Sequence, residues 1–144
     1  VPSLEAPATQ AGPRASLLTA DAPPPPGLDR RLVAQGEDLY QQSCASCHGA
    51  DRAGDPDWKR PNPDGSYPPP PQDSSGHTWH HSDRLLLEII RDGSGFEDSK
   101  MPEFGGSLSD DEILAILEYL KANWGDEERG FQWQVTWQES LPEP

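Results

Sequence analysis

Cys44-Ala45-Ser46-Cys47-His48 decides the reading of this chain of 144 residues. Two cysteines three apart, with a histidine directly after the second, read as a covalent attachment site for a c-type haem. Thiols at that spacing can add across the two vinyl groups of one porphyrin. The next side chain, His48, can then reach the iron from the same side. These are the only two cysteines in the chain, so no thiol is left over.

Three other uses of the same cysteines are weaker. Cys44 and Cys47 with His77 and His81 supply four zinc-ligand types. The 29 residues between Cys47 and His77 are too many for a zinc finger, and His48 would have no role. A thioredoxin-like pair gains thiolate character at a helix N-terminus. Here the pair follows a helix and no βαβ pattern surrounds it. A structural disulfide leaves His48 equally unexplained.

The segment before the pentad is helical. Asp29 is an N-cap candidate, and Leu32, Val33, Gly36, Leu39, Tyr40 and Ser43 fall at helical spacing. The pattern predicts a helix from about Arg30 to Cys44 that delivers the pentad at its C-terminal end. Residues 49–81 hold Gly, Pro and Asp in bulk, which predicts a long irregular segment. Such a segment needs a reason to be ordered. Wrapping around a haem would supply one.

Ser82 can cap a second helix over Asp83–Arg91, with Gly93 as its stop. Leu85, Leu86, Leu87, Ile89 and Ile90 cover most of its surface, which predicts substantial burial. Residues 93–107 return to Gly, Pro and Ser. In the third helix, Ser109 and Glu112 form a capping box and Leu108 can staple onto Ile113. Ile113, Leu114, Ile116, Leu117, Leu120 and Trp124 make its apolar face, and Gly125 is the expected end. A weaker amphipathic stretch from Asp126 to about Gln138, with Phe131, Trp133, Val135 and Trp137, predicts a short final helix. No stretch has a convincing strand pattern. The expected fold is therefore all-α: three main helices and a short C-terminal one around a covalently attached haem.

His48 supplies one axial ligand to the iron, and a low-spin electron carrier needs a second. The candidates are Met101, His77, His80 and His81. Met101 is the only methionine, 53 residues after His48. It precedes Pro102 in a Gly-rich loop just before the third helix, away from any apolar stripe. The three histidines cluster before the second helix, where hydrogen bonding in a loop, including contacts to haem propionates, is the alternative role. Met/His ligation raises the reduction potential and bis-His ligation lowers it. Met101 is the favoured ligand. Trp58, Trp79, Arg60 and Arg84 are candidates to line the pocket or bind propionates.

Hydrophobic residues make up 33% of the chain and prolines number 17, so a polypeptide core alone would be thin. The net charge is −14, of which residues 101–144 carry −8. Nucleic acid and anionic membrane surfaces are poor partners for such a chain. A redox protein with a basic docking patch fits better. No run of 18 apolar residues exists, so no segment is expected to span a membrane. The chain opens at Val1 without a recognisable signal peptide and reads as a mature or trimmed form.

Composition divides the chain into three parts. Residues 1–28 are rich in Pro, Ala, Ser and Thr and end in Pro23-Pro24-Pro25-Pro26-Gly27. They read as a tether, able to hold the domain near a membrane or a fusion partner, or as a disordered tail. Residues 29–125 form the haem domain. Residues 126–144 form an acidic, Trp-containing extension.

With these features, residues 29–125 resemble the class I monohaem cytochromes c of bacteria. In that family an N-terminal helix carries a Gly and, four residues on, an aromatic. Gly36 and Tyr40 stand in those places, and Tyr119 matches the aromatic that the C-terminal helix brings to their crossing. The family also has a Pro whose carbonyl accepts a hydrogen bond from the proximal histidine; Pro68 to Pro71 all qualify. The segments Gly76–Asp83 and Met101–Gly106 resemble a bacterial subgroup. The resemblance implies one covalent haem c, its iron between His48 and Met101. It implies a non-enzymatic one-electron carrier on the extracytoplasmic side, in the periplasm or at the outer face of the membrane. The alternatives are a cytochrome module of a larger oxidase or dehydrogenase, and a haem sensor or peroxidase in which Met101 dissociates.

Overall fold

A computed structural model describes residues 22–94 and 99–142. Most of the proline-rich arm, part of the loop before Met101 and the last two residues lie outside them. Among the described residues there are five α-helices and no strand. The fold is all-α, as the sequence pattern predicts.

Helix α1 spans Arg30–Ser43, and the Asp29 carboxylate accepts hydrogen bonds from the amides of Arg31 and Leu32 at its start. A one-turn helix, α2, follows over Ala45–His48. A 3₁₀ turn covers Thr78–His80. Helix α3 is Asp83–Asp92, capped by Ser82. Helix α4 is Asp110–Ala122, opened by the full Ser109/Glu112 capping box. Helix α5 is Asp126–Ser140.

The core forms where α1 crosses α4. A Cβ added to Gly36 would stand 1.9 Å from the Ala115 carbonyl oxygen, so only glycine lets the two backbones approach this closely. One turn later the rings of Tyr40 and Tyr119 meet at 5.3 Å between centroids. Tyr40, Ile113, Ile116 and Leu117 are fully buried, each adding roughly 1.5–3 kcal/mol of hydrophobic stabilisation.

Residues 49–77 contain no helix, yet they are tied down by backbone hydrogen bonds. Gly54 N–H donates to the His48 carbonyl at 2.8 Å, Asp55 N–H to Pro69 at 2.9 Å, and Gln72 N–H to Arg52 at 2.9 Å. These bonds lay residues 69–72 against the turn that follows His48. The fit is close at Gly54, where an added Cβ would meet the Pro70 carbonyl carbon at 2.5 Å.

Four expectations need correction. Helix α4 ends at Asn123, whose side-chain amide donates to the Tyr119 carbonyl, and Gly125 is instead the N-cap of α5. Helix α5 is not short: with 15 residues it is the longest of the described helices. Leu114 lies on the exposed side of α4, and Ala115 and Tyr119 complete the buried face in its place. On α3 only Leu86 and Ile90 are fully buried; Leu85, Leu87 and Ile89 are half-buried.

Helix α5 is fastened to the N-terminus of α3 by polar groups. The buried Gln132 amide donates to the His81 carbonyl (3.1 Å), to Asp83 Oδ1 (2.7 Å) and to Thr136 Oγ1 (3.2 Å). Lys121 of α4 pairs with the other Asp83 oxygen at 2.9 Å. Phe131 packs edge-on against Trp79 at 5.4 Å.

Candidate functional site

The pentad straddles a break between two helices. Cys44 closes α1, its N–H donating to the Tyr40 carbonyl, and also opens α2, at whose C-terminal end His48 sits. The two thiols are free, Cys44 half-buried and Cys47 exposed. Burial, reinforced by the neighbouring Cys47, pushes the Cys44 thiol up to about 11. That is the reverse of the acidified thiolate a redox-active pair requires.

His48 is buried, and its Nδ1–H donates to the Pro70 carbonyl at 2.9 Å. Burial lowers its pKa below 6.5 and so favours the neutral ring, with the bond to Pro70 pulling the other way. A neutral imidazole that donates through Nδ1 keeps its lone pair on Nε2. This is the arrangement in which a backbone carbonyl orients a metal-binding histidine and raises its basicity. Of the four prolines at 68–71, the structure selects Pro70.

Tyr40 also supports this turn, its hydroxyl donating to the Gly49 carbonyl at 2.7 Å. Arg52 was not singled out in the sequence. It adopts a left-handed φ of 66°, its guanidinium lies 5.3 Å from the centre of the Tyr119 ring, and its Nη1 donates to the Tyr119 hydroxyl. The helix crossing and the loop after His48 are thereby locked together. No sequence signal marks a lone arginine for this role; the flanking Gly49 and Gly54, both at positive φ, mark only the turn.

Met101 is half-buried and packs against the core cluster, together with Phe104 and Leu108. Its N–H donates to Ser99 Oγ at 3.2 Å. Its neighbour Lys100 pairs with Asp64 at 2.8 Å, which ties the methionine loop to the irregular segment. Hydrogen bonds from Lys100 and Ser66 hold the Asp64 carboxyl well below the usual range.

The histidines form a separate group. His77 stacks edge-on with Trp58 at 4.8 Å and lies 5.8 Å from His80 and 6.0 Å from His81, centroid to centroid. Burial, then the proximity of His77 and His80, lowers the His81 pKa. Among the described residues no three His, Cys, Asp or Glu side chains converge as a metal site, so the Cys44/Cys47/His77/His81 zinc constellation does not form. Arg84 is engaged elsewhere, in exposed ion pairs with Glu88 and Glu139. Trp79 donates to the carbonyls of Ser74 and Gly76. Arg60 is exposed, beside Asp55 and Asp57.

Residues 31–120 match the family model for cytochrome c oxidase, cbb3-type, subunit III. The chain belongs to this family. The match spans α1, the pentad, α3, Met101 and nearly all of α4, and it stops short of α5. As a c-type cytochrome domain the chain uses haem, with its iron, for electron transfer. The donor set fits that cofactor: two unbridged thiols lie immediately before a buried, neutral imidazole whose Nδ1 is already committed. No solved structure matches the chain significantly.

Proposed function

We propose that residues 29–125 are a monohaem cytochrome domain of the class I type, working as a one-electron carrier within an oxidase assembly. Cys44 and Cys47 would hold one covalent haem c, His48 and Met101 would bind its iron, and the chain itself is not an enzyme. When bound, the haem supplies one-electron cycling of its iron between the ferrous and ferric states. The observation that carries the reading is the His48–Pro70 hydrogen bond inside the family-matched segment. It commits Nδ1 and leaves Nε2 for the iron.

Met101 is favoured over the histidines because it packs against the core, whereas His77 and His80 are exposed and the half-buried His81 sits with His77 outside that cluster. With both His48 and Met101 bound to the iron, substrate binding at the metal would not be expected. Membership of an oxidase-subunit family supports a module of a larger oxidase over a free shuttle. The partner is then another redox subunit or a soluble donor with a basic patch. It would meet the acidic first turns of α4 (Asp110, Asp111, Glu112) and α5 (Asp126, Glu127, Glu128). Such encounters are brief, use small interfaces and weaken with salt.

No helix of the described residues is long and apolar enough to cross a membrane. Cytochrome c domains are typically extracytoplasmic, so the domain is assigned to that side, with membrane attachment made through chain preceding the cytochrome domain.

The test is spectroscopy of the reduced and oxidised holoprotein. A sharp low-spin α-band, haem that resists acidified solvent, and a sulfur–iron charge-transfer band lost in Met101→Ala are expected. Haem extracted by acidified solvent would overturn the covalent assignment. A charge-transfer band unchanged in Met101→Ala would overturn Met101 as ligand. Rapid carbon monoxide binding by the reduced wild type at neutral pH would replace the carrier with a sensor or peroxidase.

A further inference from the structure

Both segments that flank the family-matched residues touch each other. We propose that one face of α5 is a binding site for an extended proline strand, occupied by this chain's own residues 22–26.

The argument rests on donors and acceptors. Prolines carry no N–H, so a run of them offers a partner only carbonyl acceptors. Consecutive prolines adopt the polyproline II helix, which repeats every three residues and leaves its carbonyls free. Pro23 and Pro26, three apart, therefore present their carbonyls on the same side. Helix α5 meets both with donors: Trp133 Nε1 to Pro23 at 2.6 Å and Arg129 Nη2 to Pro26 at 3.1 Å. Those two side chains are four apart on one stripe of the helix. The strand and the helix run antiparallel.

The chemistry reverses where the prolines end. Ala22 has an N–H, and there α5 offers an acceptor, Gln134 Oε1, at 2.6 Å. Donors thus face the two carbonyls, and an acceptor faces the amide. Recognition of proline-rich ligands elsewhere also uses aromatic side chains against this preformed, low-entropy conformation. Beyond the strand, the Asp29 amide donates to Glu118 of α4 at 3.3 Å, so the arm is held up to the start of α1.

The site is rigid because α5 is fastened to α3 through the buried Gln132. Its consequence is directional. Unbound, an arm of this composition would be a semi-rigid spacer with no set angle to the domain. Bound along α5, residues 22–26 hold one direction relative to the haem domain, so the arm's angle to the domain is fixed over that stretch.

Amide hydrogen exchange in the full-length holoprotein tests this. The Ala22 amide is expected to be protected. Trp133→Phe keeps a ring but removes the donor, and Gln134→Ala removes the acceptor. Each is expected to speed Ala22 exchange about tenfold, the effect of one hydrogen bond, with α4 amides and the haem spectrum unchanged. Free exchange of Ala22 in the wild type, or no response to either variant, overturns the proposal. Protection that disappears on dilution would place a second copy's strand in the site and overturn the intramolecular assignment.

Discussion

His48 Nδ1 donates to the backbone carbonyl of Pro70, 22 residues further along the chain, at 2.9 Å. The carbonyl belongs to the backbone, so no side-chain substitution deletes it. What can change is its aim. Pro70 has a fixed φ, and Gly54 packs directly beneath it. Gly54→Ala would force residues 69–72 away, because the new Cβ meets the Pro70 carbonyl carbon at 2.5 Å and Gly54 sits at a φ of 64°. We expect a raised reduction potential, because an imidazole less polarised by the Pro70 carbonyl stabilises ferric iron less, and a stability loss of about 2 kcal/mol. Potentiometric titration and thermal unfolding check both; an unchanged potential would remove Pro70 from the role.

The helix crossing gives a sharper steric test. Gly36→Ala should cost about 3 kcal/mol or more, read as a fall in the denaturant midpoint. The obstacle is the backbone of Ala115, whose carbonyl oxygen lies 1.9 Å from the new Cβ. Adding Ala115→Gly should therefore not rescue it. Recovery in the double variant would show that the helices meet through side chains instead.

Tyr40→Phe removes the hydrogen bond to the Gly49 carbonyl and should cost about 1 kcal/mol at neutral pH. The deficit should depend on pH. Burial raises the Tyr40 pKa well above its ordinary 10.0, with Cys44 adding to the effect. The folded state therefore holds the proton more tightly than the unfolded one. Its contribution is complete below about pH 10 and is lost as pH rises beyond it. The gap between wild type and variant should narrow in alkali. A constant gap in urea titrations from neutral to strongly alkaline pH would contradict this.

The Asp64–Lys100 pair joins the irregular segment to the residue before Met101. Both partners are exposed, so Asp64→Asn should leave global stability within about 1 kcal/mol of wild type. The effect should fall on the methionine loop, as a weaker sulfur–iron charge-transfer band that high salt reproduces in the wild type. The Asp64 carboxyl is held below its usual range, so the pair persists at neutral pH and is lost only in acid. A band indifferent to both the variant and salt would refute the link.

Gln132→Leu would leave the His81 carbonyl and Asp83 without their amide donor, at about 2 kcal/mol. Helix α5 should loosen while the cytochrome domain keeps its spectrum. Loss of both together, seen by circular dichroism and by haem absorbance, would make α5 part of the domain's core.

The sequence was most readable where local rules govern. Asp29, Ser82 and Ser109 are side-chain caps, and each begins a helix where it was expected to. The pentad is legible because the covalent attachment proposed for it would fix its spacing. The end of α4 was misread because glycine stops helices but also starts them, and Gly125 sits at such a junction. The length of α5 was hidden by its polar buried face: Gln132 and Thr136 bond to Asp83 where an apolar stripe was sought. Pro70 could not be separated from its neighbours because the choice rests on the path of a segment pinned at Gly54, Asp55 and Gln72, all tertiary contacts. The role of Arg52 is likewise invisible until Tyr119 is brought beside it.

The Gly36 crossing also bears on how the molecule forms. The helices that meet there come from opposite ends of the cytochrome domain; at one margin of the contact Asp29 reaches Glu118 across 89 residues. Bringing such distant segments together means closing most of the domain into one loop before the contact stabilises anything, which slows folding. The turn that would bear the haem is the direct continuation of α1. A cofactor already bonded at Cys44 and Cys47 would therefore be an apolar nucleus carried on one of the two helices that must find each other. Refolding followed by haem absorbance and by Tyr40/Tyr119 contact should then report a single event.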